Sequence, residues 1–407
     1  MSSVPVDSQG EWQLTLTGSQ ARAAQLFGRP EAEQRHLGYF HTLREICQQP
    51  WTWLRTCDQM IASRDSLREF TRGIRSLAFT GSGSSEYVGD CVRVPIQNEL
   101  GIVAESVSGG ALLLDGAKAL PVDRPGLLVS LARSGNSPES VGAVRLLVDS
   151  VTSYKHLVVT CNSQGALARA WNGHKNVRVI ALPPETNDES LVMTSSFTNL
   201  LLAARFLGMI ERPRDYRNLC ENLSGIVQDL IRTQFDTIAG IASTAFRRVL
   251  FLGSGTQFSA AREAALKMLE MSSGRVTTMC ETFLSLRHGP MSFVHKDTLV
   301  VCSLSSHPTT RAYELDLLSE LDRKQLGLSK LIIGENIPES VVRFGDEVIH
   351  CPGLTKLGDN EAPAVYVVVC QLLAFFRCLE EGLQPDSPSE GGIINRVVES
   401  FPLHWPS

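Results

Sequence analysis

The chain is written twice. "LAFTGSGSSEYVG" from residue 77 returns as "VLFLGSGTQFSAA" from 249, and "LLVSLARSGNSPES" from 127 returns as "LVVCSLSSHPTTR" from 299. "HLVVTCNSQ" at 156 returns as "KLIIGENIP" at 330, and "LLLAARFLG" at 200 returns as "QLLAFFRCLE" at 371. All four echoes keep their order and lie about 170 residues apart, a domain-sized period far longer than a solenoid repeat. Whatever one half folds into, the other should fold into as well. The 407 residues suffice for two domains with full cores.

Each half alternates short runs of Val, Leu and Ile with helical patterns. Runs such as "GLLVSL", "HLVVTC" and "NVRVIAL" lack period-2 polarity, as strands covered on both faces do. The expected fold class is α/β: a parallel sheet with helices on both faces, built twice. The expected division is a helical extension over 1–70, a first domain over 71–213, an amphipathic helical link over 214–243, a second domain over 244–384 and an irregular Pro/Gly/Ser-rich tail over 385–407. The first 20 or so residues are expected to be loosely held.

Bulk properties narrow the function. Hydrophobic residues make up 43% and charged residues 20%, the balance of a soluble globular protein. A net charge of −5 disfavours a nucleic-acid surface. The N-terminus has neither the basic nor the apolar region of a signal peptide. No apolar run is expected to reach the roughly 18 residues of a membrane span, so no membrane partner is expected. The ten cysteines are scattered with no Cys-x-x-Cys pair, which argues against a zinc ribbon or disulfide framework and for reduced thiols in a cytoplasmic protein.

Ligands of open α/β sheets sit outside the carboxyl ends of the strands. Three small-polar segments fall there in the first half: "GSGSS" (81–85), "RSGNSPES" (133–140) and "CNSQG" (161–165). They supply Ser84, Ser85, Ser134, Ser137 and Ser163. Hydroxyls with free N–H groups at a helix start suit a phosphate ester dianion. Any one such loop is equally a turn or a helix cap; three at matching strand ends point to a ligand. The second half has "SLSSHPTT" in the matching place, without the Gly-Asn pair, so one phosphate per chain is expected.

The second half departs where chemistry could sit. Glu270 lies on the helical stretch "AAREAALKMLEM", three residues after Lys267, so both can share a face. That spacing is also the spacing of a solvated ion pair. His288 lies in "LRHGP", and a lone histidine is as readily structural as catalytic. There is no His-Glu-x-x-His and no His/Cys cluster, so neither a metal site nor a cofactor is expected.

"GSGSS", "RSGNSPES", "CNS" and "DESLVMTSSFT" resemble the sugar isomerase (SIS) domain pattern, and "EAALKMLEM…ETFLSLRHGP" resembles the second SIS domain of glucosamine-6-phosphate synthase. Over roughly residues 25 to 404 the chain resembles the AgaS family, named for tagatose-6-phosphate ketose/aldose isomerase or galactosamine-6-phosphate deaminase, on "TLREICQQPWTW", "ETFLSLRHGP" and "PDSPSEGGIINRVV". The resemblance implies tandem SIS domains acting on hexose or hexosamine 6-phosphates in a homodimer or higher homo-oligomer. It puts the phosphate loop at Arg133, Ser134, Gly135, Asn136 and Ser137, with Ser84 and Ser85 from the first turn. It makes Glu270 the base, Lys267 its neighbour and His288 the ring-opening group, acting in its own subunit or across a dimer, as the synthase's corresponding histidine reaches a neighbour's site. The synthase's Schiff-base lysine falls near Arg396. A guanidinium stays protonated at neutral pH, which leaves a covalent sugar–enzyme step open. Deamination to a ketose and ammonia is the implied activity, with plain isomerisation or non-catalytic sugar-phosphate binding as alternatives.

Overall fold

The computed structural model describes residues 11–171 and 173–404. Six helices come first: α1 (Glu11–Ser19), α2 (Ala21–Phe27), α3 (Glu31–His36), α4 (Phe40–Cys47), α5 (Gln49–Ala62) and α6 (Arg64–Phe70). The first half then runs β1 (Ser76–Gly81), α7 (Ser84–Leu100), β2 (Val103–Ser108), α8 (Gly109–Asp115), β3 (Gly126–Ala132), α9 (Pro138–Ser150), β4 (Tyr154–Thr160), α10 (Ala166–Ala170), β5 (Val177–Ala181) and α11 (Ser195–Met209). Helix α12 (Pro213–Ala242) leads to the second half. There the order is β6 (Arg248–Gly253), α13 (Thr256–Met271), β7 (Thr277–Thr282), β8 (Thr298–Ser303), α14 (Pro308–Arg323), β9 (Ser329–Gly334), β10 (Glu347–His350), α15 (Leu354–Leu357) and α16 (Ala362–Glu380).

Both sheets are parallel and share one topology, β2-β1-β3-β4-β5 and β7-β6-β8-β9-β10. Even the register repeats: Ser76 pairs with Gly126 in the first, and Arg248 with Thr298 in the second. The continuous apolar runs have a plain cause. Successive strand residues point to opposite faces, and here each face has its own core. Leu77, Phe79, Leu127 and Val129 join the central core, whereas Ala78 and Leu128 join the one under α8 and α9. In the second half Val249 and Phe251 face the centre, and Leu250 and Leu252 face α14.

The central core is shared by the halves. Helix α7 packs on α11 and α13, and α13 packs on α16. Asp90 of α7 pairs with Arg262 of α13, whose guanidinium lies 4.2 Å from the centre of the Tyr87 ring. Arg205 of α11, almost wholly buried, bridges Glu99 at the end of α7 (2.8 Å) and Glu361 before α16 (3.0 Å).

Two expectations need correction. Residues 11–20 are held: Leu16 is buried, the Ser19 hydroxyl donates to the Arg232 carbonyl (2.9 Å), and Gln20 accepts the Asp236 N–H (2.9 Å). Residues 1–10, covered by the same expectation, lie outside the described residues. An apolar run of membrane-span length does exist. It is α16, 19 residues long, and 94% of its most apolar window is buried inside the protein. Apart from Gln371 and Arg377 its middle is apolar on every face, because α12 and α13 pack on it in the shared core. The tail is irregular apart from a short turn at Glu390–Gly392. It crosses back over the first half, where Leu403 reaches Gly142 of α9.

Candidate active site

The order of the first sheet reverses between β1 and β3, which opens a crevice at their carboxyl ends. Helix α7 starts there on Gly83, whose φ of 56° favours glycine, and no side chain caps its first turn. Helix α9 starts there too, after Ser137, again without a side-chain cap. Ser84, Ser85, Ser134 and Ser137 sit at these two helix starts, whose ends favour an anion; the Ser137 hydroxyl donates to Ser140 Oγ (2.7 Å) and the Asn136 N–H to Ser134 Oγ (3.3 Å). Gly135, at φ 64°, turns the second loop. Its shape is fixed by side chains: Asn162 Nδ2 donates to the Ser134 carbonyl (3.0 Å), and Asn136 Oδ1 accepts the Ala166 N–H (2.8 Å). Asn136 is thus a clip between loops. Ser163 is exposed at the end of β4.

The matching place in the second half is filled by the protein itself. The Asp359 carboxylate accepts the N–H of Ser306 (2.6 Å), the hydroxyl of Ser306 (2.7 Å) and the hydroxyl of Ser305. Thr256, the counterpart of Ser84, donates to the Asp359 carbonyl (2.8 Å). The donors that would meet a phosphate already hold a carboxylate.

What the second half contributes is α13. Glu263, Lys267 and Glu270 stand at i, i+4 and i+7, on one face. Glu270 lies roughly 21 Å along the helix from its start, so it is far from the carboxyl edge of its own sheet. It meets the carboxyl edge of the other sheet instead. Ser84 lies close enough to Glu263 to pull its carboxyl down, and Arg133 is close enough to act electrostatically on both Glu270 and Lys267.

This face is not a solvated ion pair. Lys267 is 1% exposed; its ammonium touches Glu270 and lies 3.5 Å from Glu263. Burial works against the Lys267 charge, but the two carboxylates outweigh it and raise its pKa above the usual lysine value. Glu263 is fully buried, and burial pushes its carboxyl up to about 7 against the pull of Lys267. Glu270 keeps a partly exposed side chain. Glu263 was missed because a lone charge in a helical stretch reads as surface; the Glu-x3-Lys-x2-Glu spacing was its only signal.

Two arginines complete the neighbourhood. Arg133 donates through Nη1 to the carbonyls of Ser190 (3.3 Å) and Leu191 (2.9 Å) and through Nη2 to that of Arg396. Arg396 reaches from the tail to the Asp188 carbonyl (2.8 Å) and to Asn187 Oδ1 (2.9 Å). Both cations are braced on the 187–191 loop beside the crevice. His288 is the residue this chain does not bring in. It is exposed on the turn after edge strand β7, and among the described residues no hydrogen bond or ion pair ties it to Glu270 or Lys267. Nor do three His, Cys, Asp or Glu side chains gather as metal ligands among the described residues.

Two parallel five-stranded sheets of this order, joined through a shared helical layer, make the chain a tandem SIS protein, the fold of the phosphosugar isomerases. The crystal structure of tagatose-6-phosphate ketose/aldose isomerase from Escherichia coli matches with a TM-score of 0.80 and 31% identity, over 89% of this chain and 96% of that one. An AgaS relative from Streptomyces coelicolor is 35% identical over 371 residues, covering 89% of this chain and 95% of its own. The Escherichia coli protein named D-galactosamine-6-phosphate deaminase AgaS is 33% identical over the same span. No family model matches the chain. The chain belongs to the AgaS family of enzymes.

Proposed function

We propose that this enzyme converts galactosamine 6-phosphate and water into tagatose 6-phosphate and ammonia. The reading is supported by the Glu270–Lys267 pair of the second half lying within electrostatic reach of Arg133, which opens the serine loop of the first half. Ser84, Ser85, Ser134 and Ser137 take the phosphate, with Ser163 at the rim and Arg133 and Arg396 beside the sugar. His288 of a neighbouring subunit assists ring opening, which makes the active form a homo-oligomer. Glu270 then removes the C2 proton of the open aldose and delivers one to C1. The resulting 2-imino ketose takes up water and releases ammonia. The same proton transfer on a 2-hydroxy aldose is plain isomerisation, a second reading favoured by the name of the Escherichia coli structure. The reaction is placed in the cytosol, in keeping with ten cysteines that are all free. Incubation with galactosamine 6-phosphate and, separately, with tagatose 6-phosphate tests the reading: ammonia with tagatose 6-phosphate from the first supports it, and no ammonia from the first with aldose formation from the second overturns it.

Two variants separate the two strand-end cradles. Ser134→Ala with Ser137→Ala is expected to raise KM at least tenfold, since a hydrogen bond to a charged group contributes about 1.5–3 kcal/mol. An unchanged KM in a folded double variant would remove these serines from the phosphate site. Asp359→Ala should behave oppositely. It lowers stability by about 1.5–3 kcal/mol, because three donors lose a charged acceptor, while KM stays near normal. A Ser137-like rise in KM for Asp359→Ala would mean that the second cradle takes part in substrate binding.

A further inference from the structure

Helix α4 carries a carboxyl that no step above uses. Glu45 is 5% exposed. Its Oε1 accepts the N–H groups of Glu189 (2.5 Å) and Ser190 (3.2 Å), and the Ser190 hydroxyl rests on Oε2. That hydroxyl is also 3.2 Å from the Val192 carbonyl. From the other side the Asp188 carboxylate accepts the N–H groups of Thr194 (2.8 Å) and Ser196 (3.0 Å). The carbonyls of the same loop hold the two arginines: Ser190 and Leu191 take Arg133, and Asp188 takes Arg396. Glu45 therefore grips the N–H side of a loop whose C=O side sets both cations beside the crevice.

We propose that Glu45 is a positioning residue of the reaction, acting through loop 188–191 to hold Arg133 and Arg396 against the bound sugar phosphate. The inference rests on the reading of the crevice given above. Its chemistry follows from the groups that face Glu45. Burial, with Asp188 adding to it, pushes the Glu45 carboxyl up to about 8. The other charged or titratable groups nearby are Glu189 on the loop, Arg133 after β3, Arg396 from the tail, His41 and Arg44 on its own helix, and Glu185 after β5. At neutral pH the acid form satisfies every contact. Oε1 accepts two N–H groups, Oε2–H donates to Ser190 Oγ, and Ser190 donates to Val192. Ionisation strengthens the pull on the three donors, but burial and a second negative charge beside Asp188 outweigh that gain, so the charged form strains the packed loop.

Glu45→Gln has the same shape and the same donor and acceptor pattern as the acid, without the ionisation. Glu45→Ala removes the grip. For galactosamine 6-phosphate at pH 7, Glu45→Gln should keep KM within about twofold of the unsubstituted enzyme, and Glu45→Ala should raise it at least tenfold. Between pH 7 and 9 the unsubstituted enzyme should lose affinity and the Gln variant should not. Hydrogen exchange at the amides of Glu189 and Ser190, corrected for intrinsic rate, should follow the same pattern without any turnover. Glu45→Ala with normal KM, or superimposable exchange profiles for the unsubstituted and Gln proteins across pH 7–9, overturns the proposal. Exchange as expected in a protein that releases no ammonia keeps the loop assignment and rejects the substrate reading instead.

Discussion

Glu270→Gln lowers kcat by about 10²- to 10⁴-fold, the range lost when a general base is removed. Gln keeps the length and hydrogen-bonding shape of Glu but cannot take a proton from carbon. The placement of the side chain suits a base. It is partly exposed, while the buried Lys267 ammonium touches it and fixes its direction. The fold should hold for two reasons. Gln and Glu have nearly equal helix propensity, and Lys267 retains Glu263 as a buried partner, 3.5 Å away. KM should change little, because the serines proposed to take the phosphate sit on the loops after β1 and β3. Exchange of the substrate's C2 proton with solvent, followed by NMR in deuterium oxide, should fall together with kcat. If Glu270 were a mere surface partner of Lys267, worth under about 1 kcal/mol, kcat would stay near normal. The base would then have to be sought at Glu86 or Glu281.

The first-half loops are legible in the sequence because a local rule governs them: a strand end, small polar residues and a helix start. The strands are legible because both faces of each sheet are covered, which removes polar alternation. The α13 face is half legible: spacing puts Lys267 and Glu270 on one face, their roles come only from the family resemblance, and Glu263 leaves no signal beyond its spacing to them. The remainder lies in contacts that no local pattern encodes. Asp359 fills the second cradle across 53 residues of chain, and Glu45 meets its loop across 144. Helix α1 reads as loose because its burial depends on α12, more than 200 residues away. The approach of Glu270 to Arg133 of the other half depends on how α7 and α13 cross, a crossing pinned by Arg262 against Asp90 and Tyr87.

Lys267→Met should damage the fold most. The ammonium is 1% exposed and stands between two carboxylates on its own helix. Removing one partner of a buried ion pair typically costs about 3–5 kcal/mol, because the charges left behind are uncompensated. Met fills similar volume and keeps helix propensity, so the loss reads out charge rather than packing. The sign of the pH dependence follows from Glu263, whose carboxyl stands at about 7 in the fold against 4.5 unperturbed. With a raised carboxyl the folded state binds more protons than the unfolded one, so its contribution is full below about pH 4.5 and declines as pH rises through about 7. Lys267 pulls Glu263 down; without it the decline should continue above pH 7, where the unsubstituted protein has levelled off. Urea unfolding at pH 6, 7 and 8 tests this, with Lys267→Met/Glu263→Gln as the control that removes the stranded carboxyl. The double variant should recover stability and lose the extra slope, yet remain slow in turnover because Glu270 has lost the ammonium that aims it. A Lys267→Met protein within about 1 kcal/mol of the unsubstituted one at all three pH values would mean that both carboxylates are satisfied by other groups, and that the Lys267 charge organises neither the fold nor the base.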